Sequence, residues 1–161
     1  VVVGKLVHKA IQRWLFPGEE GYLSLMRAAL AREGIVEMGQ QNLVLEDTEI
    51  LLDRFKEHDI YQELTTADVR RHEIPFSYLT SGKFPDTGII DMLYKVGEKW
   101  HLLDFKTDDI ANEIEVEEKI LLYRDQLLRY RQASIKLLGS TPNTKICFLN
   151  FMGQVKIVEV L

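Results

Sequence analysis

Apolar residues recur every three or four positions along the first third of the chain, which is the spacing of amphipathic helices. The pattern predicts helices over residues 3–16, 21–32 and 42–58, and residues 60–68 are compatible with a short fourth helix. Pro17 and Gly18 end the first helix. We therefore expect the N-terminal third to be helical.

From Val69 onward, extended segments replace the helical pattern. VRRHEIPFSYL predicts a strand, and Pro75 within it suits a sheet edge or a bulge. Two strands follow, joined at Val96–Lys99, and apolar residues on both faces are typical of central strands covered on each side. The segments TKICFLNF and QVKIVEVL predict a final strand pair.

One long helix ending near Leu138 separates the two groups of strands. Its predicted core stripe comprises Val116, Ile120, Tyr123, Leu127, Tyr130 and Leu137. The element order predicts an α/β fold with a central mixed β-sheet flanked by helices and a helical N-terminal third.

Composition and charge narrow the class of protein. With 161 residues, of which 46% are hydrophobic, the chain can bury the core of one domain, 1–161. The net charge of −5 argues against a nucleic-acid binder that relies on a basic surface alone, but it allows an enzyme whose carboxylates hold a metal. No run of apolar residues is long enough for a membrane span.

Cysteine content and the start of the chain add two expectations. The lone Cys147 excludes an intrachain disulfide and any site made of four cysteines, and it favours a reducing, cytoplasmic compartment. The chain begins without methionine, so we expect a domain excised from a larger protein.

Charged residues interrupt the two central strands. Asp91 lies in the first, Asp104 in the second, and Lys106 projects to the same face as Asp104 because strand side chains alternate. A buried carboxylate is costly unless it is paired or binds a metal. The two aspartates could hold Mg²⁺ or Mn²⁺, and the lysine could stabilise charge on a phosphate, although Asp104 and Lys106 alone also fit an ordinary ion pair.

Four motifs in order make the metal interpretation more specific. They are Gly4-Lys-Leu-Val-His8, Gly88-Ile-Ile-Asp91, Asp104-Phe-Lys106-Thr-Asp108 and Gln126-Leu-Leu-Arg-Tyr130. Together they resemble the RecB/AddA-type nuclease domain of the PD-(D/E)XK superfamily, found at the C-terminal end of UvrD-like helicase-nucleases. The resemblance spans residues 4–130 and implies a restriction-endonuclease-like sheet.

The resemblance also implies roles for individual residues. Asp91, Asp104 and Lys106 would be catalytic. His8, Asp91, Asp104 and the backbone carbonyl of Phe105 would bind Mg²⁺ or Mn²⁺. Phe105 replaces a more usual tyrosine, and a single cysteine leaves no ligands for the iron-sulfur cluster of some relatives.

Three further residues match the family with less specificity. Gln126 and Tyr130 would support the site or contact DNA, and Glu73 lies where the family often has another acidic residue. Each also has an ordinary interpretation: a structural polar-aromatic pair for Gln126 and Tyr130, and a solvated residue for Glu73. His8, likewise, could be a hydrogen-bonded helix residue.

The expected function is a metal-dependent, exonuclease-type DNA nuclease. Its expected partners are single-stranded DNA ends and a UvrD-like helicase domain in the same or a partner chain. A catalytically inactive nuclease fold that binds DNA or assembles with a partner is the alternative. A glycosidase with a carboxylate pair is a third candidate, but it would give Lys106 and His8 no role.

Overall fold

The computed structural model describes residues 1–82 and 84–161. Within these ranges the chain forms five helices and a five-stranded mixed sheet, which confirms the predicted α/β class and the helical N-terminal third. The chain divides into two compact units, Val1–Gln62 and Glu63–Leu161, here called the helical unit and the sheet unit. The single-domain expectation stays a prediction.

The helical unit contains three long helices: α1 (Val2–Arg13), α2 (Tyr22–Arg32) and α3 (Met38–Glu57). A short helix, α4 (Asp59–Thr65), covers the boundary between the units in the sequence. Helix α1 packs against both α2 and α3. None of the helices in the described ranges combines the length and apolarity needed to cross a bilayer.

Two helix ends in this unit differ from the sequence prediction. Helix α1 stops before Trp14, whose backbone has a left-handed conformation, rather than at the predicted residue 16. The Trp14 ring stacks on the Tyr61 ring with 5.3 Å between the centroids. Helix α3 starts four residues early because the Glu37 side chain accepts hydrogen bonds from the backbone N–H groups of Gly39 and Gln40.

The sheet unit contains β1 (Val69–Leu79), β2 (Pro85–Val96), β3 (Lys99–Lys106), α5 (Glu113–Leu138), β4 (Asn143–Phe151) and β5 (Gln154–Glu159). The strands lie in chain order, and neighbours are antiparallel except β3 and β4. That parallel pair requires the crossover that α5 provides. A turn was predicted at residues 83–85. Lys83 lies outside the described residues, and Pro85 begins β2.

Helix α5 buries one face against the sheet. Asn112 caps its start, and Gly139, with φ +70°, ends it as predicted. The core here includes Phe76, Ile90, Leu93, Leu102, Val116, Leu127, Tyr130, Ala133, Ile146 and Phe148. Leu137, predicted to be buried, is 55% exposed, whereas Ser134 is buried. At about 100° per residue, Ser134 is in line with Val116 after five turns, but Leu137 is about 60° away.

Candidate metal and catalytic site

Strands β2 and β3 supply the two central aspartates at the point where their backbone pairing ends. The pairing runs from Val96 with Lys99 to Met92 with Leu103, and Asp91 and Asp104 are the next residues on each strand. Here Asp91 Oδ2 accepts a hydrogen bond of 2.9 Å from the backbone N–H of Phe105. A side chain thus joins the strands where the ladder stops, and the bond orients the Asp91 carboxylate.

Glu73 enters the same region from β1. Its neighbours pair with β2, His72 with Met92 and Ile74 with Ile90, so Glu73 lies at the level of Asp91. Its φ of +48° is left-handed, which is rare for a residue other than glycine and marks local strain. A turn of this kind inside a strand redirects the side chain from the regular alternation.

The half-buried carboxylates of Glu73 and Asp91 have oxygens within 4.8 Å of each other. Without a cation, two carboxylates at this distance repel each other. Two oxygen ligands of one Mg²⁺ ion lie at about 2.1 Å from it, so they are separated by at most about 4.2 Å. The pair therefore fits a divalent, oxygen-preferring ion after a small side-chain adjustment.

Asp104 lies on the face of β3 that is covered by α5 and is only 1% exposed. Its Oδ2 is 2.8 Å from Lys106 Nζ, whose side chain is 14% exposed. Placement of both side chains on one face follows from the alternation of the strand. The ion pair accounts for a carboxylate that would otherwise be costly to bury.

Helix α5 holds the Lys106 amine from the other side. Lys106 Nζ donates to Gln126 Oε1 at 3.1 Å, and Gln126 Nε2 donates to the Tyr130 hydroxyl at 2.8 Å. Burial raises the pKa of Tyr130, so its hydroxyl stays neutral. Gln126 and Tyr130 thus form a chain of hydrogen bonds that ends at the lysine. Their role in supporting the site and a direct contact with DNA stay predictions.

Close packing explains why the motif that ends in Asp91 begins with a glycine, Gly88. A Cβ on Gly88 would lie 2.7 Å from the Phe76 ring and 3.2 Å from the Tyr130 ring. Only a residue without a side chain leaves these rings in place. The glycine of one motif is therefore coupled by packing to the tyrosine of another.

Sequence reasoning missed two residues beside the lysine. The Tyr123 ring lies under Lys106 Nζ, 4.2 Å from centroid to nitrogen. Asp108, the last residue of the motif that begins at Asp104, binds Tyr123 and Lys119, whereas Asn112 caps the start of α5. The available signal was the position of Tyr123, one helical turn before Gln126 on the same face.

Two expected ligands belong to different parts of the chain. His8 is half-buried on α1 of the helical unit. The Phe105 side chain is buried, points away from Asp104 by strand alternation, and its backbone N–H binds Asp91. Metal ligation by the His8 imidazole and by the Phe105 carbonyl stays a prediction.

The chain belongs to the PD-(D/E)XK nuclease superfamily, whose family model matches residues 2–151. It is similar to an ATP-dependent helicase/nuclease subunit from Clostridium botulinum (strain Alaska E43 / Type E3), with 32% identity over 100 residues. That match covers 62% of this chain and 8% of the relative. The family resemblance is thus confirmed, and this relative supports the RecB/AddA type.

A solved structure, protein VC1899 from Vibrio cholerae, is also similar. The match covers 92% of this chain and 42% of that chain, with 13% sequence identity and a TM-score of 0.39. At that score the likeness does not bear on the fold or the site.

Proposed function

We propose that this chain is a metal-dependent deoxyribonuclease that hydrolyses phosphodiester bonds. The observation that carries the proposal is the buried Asp104–Lys106 pair on β3, together with the Asp91 and Glu73 carboxylates on the strands that precede it in the sheet. Membership of a nuclease superfamily supports it. Charged groups held in place within a sheet can stabilise the negative charge that develops when the phosphodiester backbone of DNA is hydrolysed.

The carboxylates fit a magnesium or manganese ion. We assign Asp91 and Asp104 as ligands, with Glu73 as an additional one and His8 and the Phe105 carbonyl as the predicted remainder. When bound, the ion would supply Lewis-acid stabilisation of phosphate charge and lower the pKa of water. Oxygen-rich donors favour these hard cations over soft transition metals.

The chain's own residues would then orient the reaction. Lys106 would face the scissile phosphate and offset the negative charge that grows in the transition state. Asp104 and Gln126 hold its amine at 2.8 and 3.1 Å, so little reorganisation is needed. Because Lys106 is mostly shielded from water, its charge acts more strongly than it would on the surface.

We propose single-stranded DNA ends as the substrate, cut in exonuclease fashion, and a UvrD-like helicase domain as the partner. The similar relative is named a helicase/nuclease subunit, which supports this partner. A net charge of −5 gives little non-specific affinity for DNA, and a tethered motor would supply a high local concentration instead. A role in recombination or repair and a cytoplasmic location stay predictions.

The test is hydrolysis of end-labelled single-stranded DNA with Mn²⁺ or Mg²⁺. We expect wild type and the surface control Lys99→Ala to cleave, and Asp104→Ala and Lys106→Ala to lose about 10²-fold or more in rate. Chelation should abolish cleavage. Equal activity in all four proteins, or none in wild type, would overturn the proposal.

The alternative is a nuclease fold that binds DNA or a partner without catalysis. The Asp104–Lys106 ion pair favours it in one respect, because such a pair can be purely structural. This alternative predicts that wild type binds single-stranded DNA but does not cleave it with either metal. Asp104→Ala would then change stability and leave DNA binding intact.

A further inference from the structure

The Lys106 amine makes a third contact besides those with Asp104 and Gln126. The amine lies 4.2 Å from the centroid of the Tyr123 ring. An ammonium over an aromatic face is attracted by the electron-rich ring, and the attraction strengthens when the pair is shielded from water. Because a lysine has four flexible methylenes, a ring on one side removes many of the positions that its amine could otherwise adopt.

Tyr123 is itself fixed in place by Asp108. The Tyr123 hydroxyl donates to Asp108 Oδ2 at 2.8 Å, and Lys119 Nζ contacts Asp108 Oδ1 at 2.6 Å. Burial acts to raise the pKa of Asp108, but the hydrogen bonds from Lys119 and Tyr123 outweigh it and keep the pKa below its usual value. A hydrogen bond to a charged carboxylate is stronger than one between neutral groups.

The sequence positions of Asp108, Lys119 and Tyr123 explain why these residues meet beside the lysine. Asp108 follows Lys106 by two residues, and Lys119 and Tyr123 are one turn apart on α5. The chain leaving β3 therefore returns to the helix that also carries Gln126. The ring is held at both ends, by the helix backbone and by the loop carboxylate.

We propose that Tyr123 is a positioning residue for Lys106, with Asp108 as the anchor of its ring. The inference rests on the proposed function, since it concerns the lysine of that reaction. Tyr123 acts through Lys106 rather than on the scissile phosphate. Its loss therefore lowers kcat and leaves KM nearly unchanged.

Steady-state cleavage of labelled single-stranded DNA with Mn²⁺ by the full chain tests this. We expect Tyr123→Leu to lower kcat about tenfold or more with KM within about twofold, while Tyr123→Trp, which keeps an aromatic face, retains more activity. Tyr78→Leu is the matched control, because Lys136 Nζ lies 4.4 Å from the Tyr78 ring and neither residue belongs to the site. Its kcat should equal that of wild type.

A spectroscopic measurement covers the case in which Tyr123→Leu fails to fold. With ¹³C-labelled lysine, the ε-methylene protons of Lys106 should resonate upfield in wild type because of the Tyr123 ring current. Asp108→Asn, which keeps the ring but weakens its anchor, should reduce that shift and lower kcat. The assignment of Lys106 follows from the signal missing in Lys106→Arg.

The outcomes separate this inference from the proposed function. The proposed function holds if wild type cleaves and Lys106→Ala does not. In that case, an unchanged kcat in Tyr123→Leu, or a Lys106 signal that is not shifted in wild type, overturns the role of Tyr123 alone. A wild type without nuclease activity overturns the proposed function and this inference together. Lowered kcat with unchanged KM and a lost ring-current shift support both.

Discussion

The Asp91 carboxylate accepts a hydrogen bond of 2.9 Å from the backbone N–H of Phe105, across two strands whose pairing stops one residue earlier. One side chain therefore serves the sheet and the candidate metal site together. A substitution at Asp91 removes a strand connection as well as a ligand. Loss of activity in Asp91→Ala alone would not tell these two effects apart.

Comparison of Asp91→Asn with Asp91→Ala separates the two effects. Both remove the charge and the repulsion from Glu73, but the asparagine oxygen can still accept the Phe105 N–H. We expect Asp91→Ala to have a free energy of unfolding about 1 kcal/mol lower than Asp91→Asn in metal-free urea titrations. Equal stability of the two variants would mean that the hydrogen bond contributes nothing to the sheet.

The left-handed backbone conformation of Glu73 leads to a second prediction about the free energy of unfolding. With φ at +48°, any residue with a Cβ is strained there, whereas glycine is not. We expect Glu73→Gly to exceed Glu73→Ala in free energy of unfolding by about 1 kcal/mol, because both lose the carboxylate but only alanine keeps the strain. If the alanine variant is as stable as the glycine variant, Glu73 does not hold this conformation in solution.

Gly88 should not tolerate a methyl group. A Cβ there would meet Phe76 at 2.7 Å and Tyr130 at 3.2 Å, so we expect Gly88→Ala to lower the free energy of unfolding by about 1–3 kcal/mol. Gly82→Ala is the control, because its Cβ would only make an ordinary 3.5 Å contact. Adding Phe76→Leu to Gly88→Ala should recover part of the loss. Additive effects of the two changes would contradict the clash.

Because Tyr94 is buried, we predict that the free energy of unfolding falls at alkaline pH. It is fully buried and its hydroxyl donates to Glu63 at 2.7 Å. Burial, followed by Glu63, raises the pKa of Tyr94 well above its ordinary 10.0. The unfolded chain therefore loses this proton first, so the contribution is complete below about pH 10 and is lost as the pH rises further.

Urea unfolding of wild type and Tyr94→Phe between pH 8 and 11 measures that contribution. The subtraction removes the ionisation of the other tyrosines and the lysines. We expect the stability advantage of wild type over Tyr94→Phe to shrink as the pH passes 10. An advantage that is constant across this range would show that Tyr94 ionises equally in both states.

Local rules were enough to predict most of the sheet unit from the sequence. Strand β1 has the predicted bounds, and the hairpin between β2 and β3 turns at Gly97, where φ is +58°. Asp104 and Lys106 share a face because of strand periodicity alone. The wrong position for Leu137 came from a stripe read with a period nearer 3.5 than 3.6 residues.

Other parts of the site depend on contacts that sequence spacing does not encode. Pro75 indicated a sheet edge or a bulge, but the sequence around Glu73 does not predict a left-handed residue level with Asp91. Asp108 and Tyr123 are fifteen residues apart, and their hydrogen bond depends on the path of the loop before α5. Outside the site, Leu23 on α2 and Ile50 on α3 fit the apolar spacing of their helices but are 52% and 48% exposed, because that spacing does not determine which helix faces pack together.

Calorimetric titration of the metal-free chain with Mn²⁺ shows whether the carboxylates of Asp91 and Glu73 form a metal centre. We predict a saturable heat for wild type and for the surface control Asp125→Ala, a weaker one for Glu73→Ala, and none for Asp91→Ala. Absence of binding by wild type, or equal binding by wild type and Asp91→Ala, would contradict a metal centre at these carboxylates.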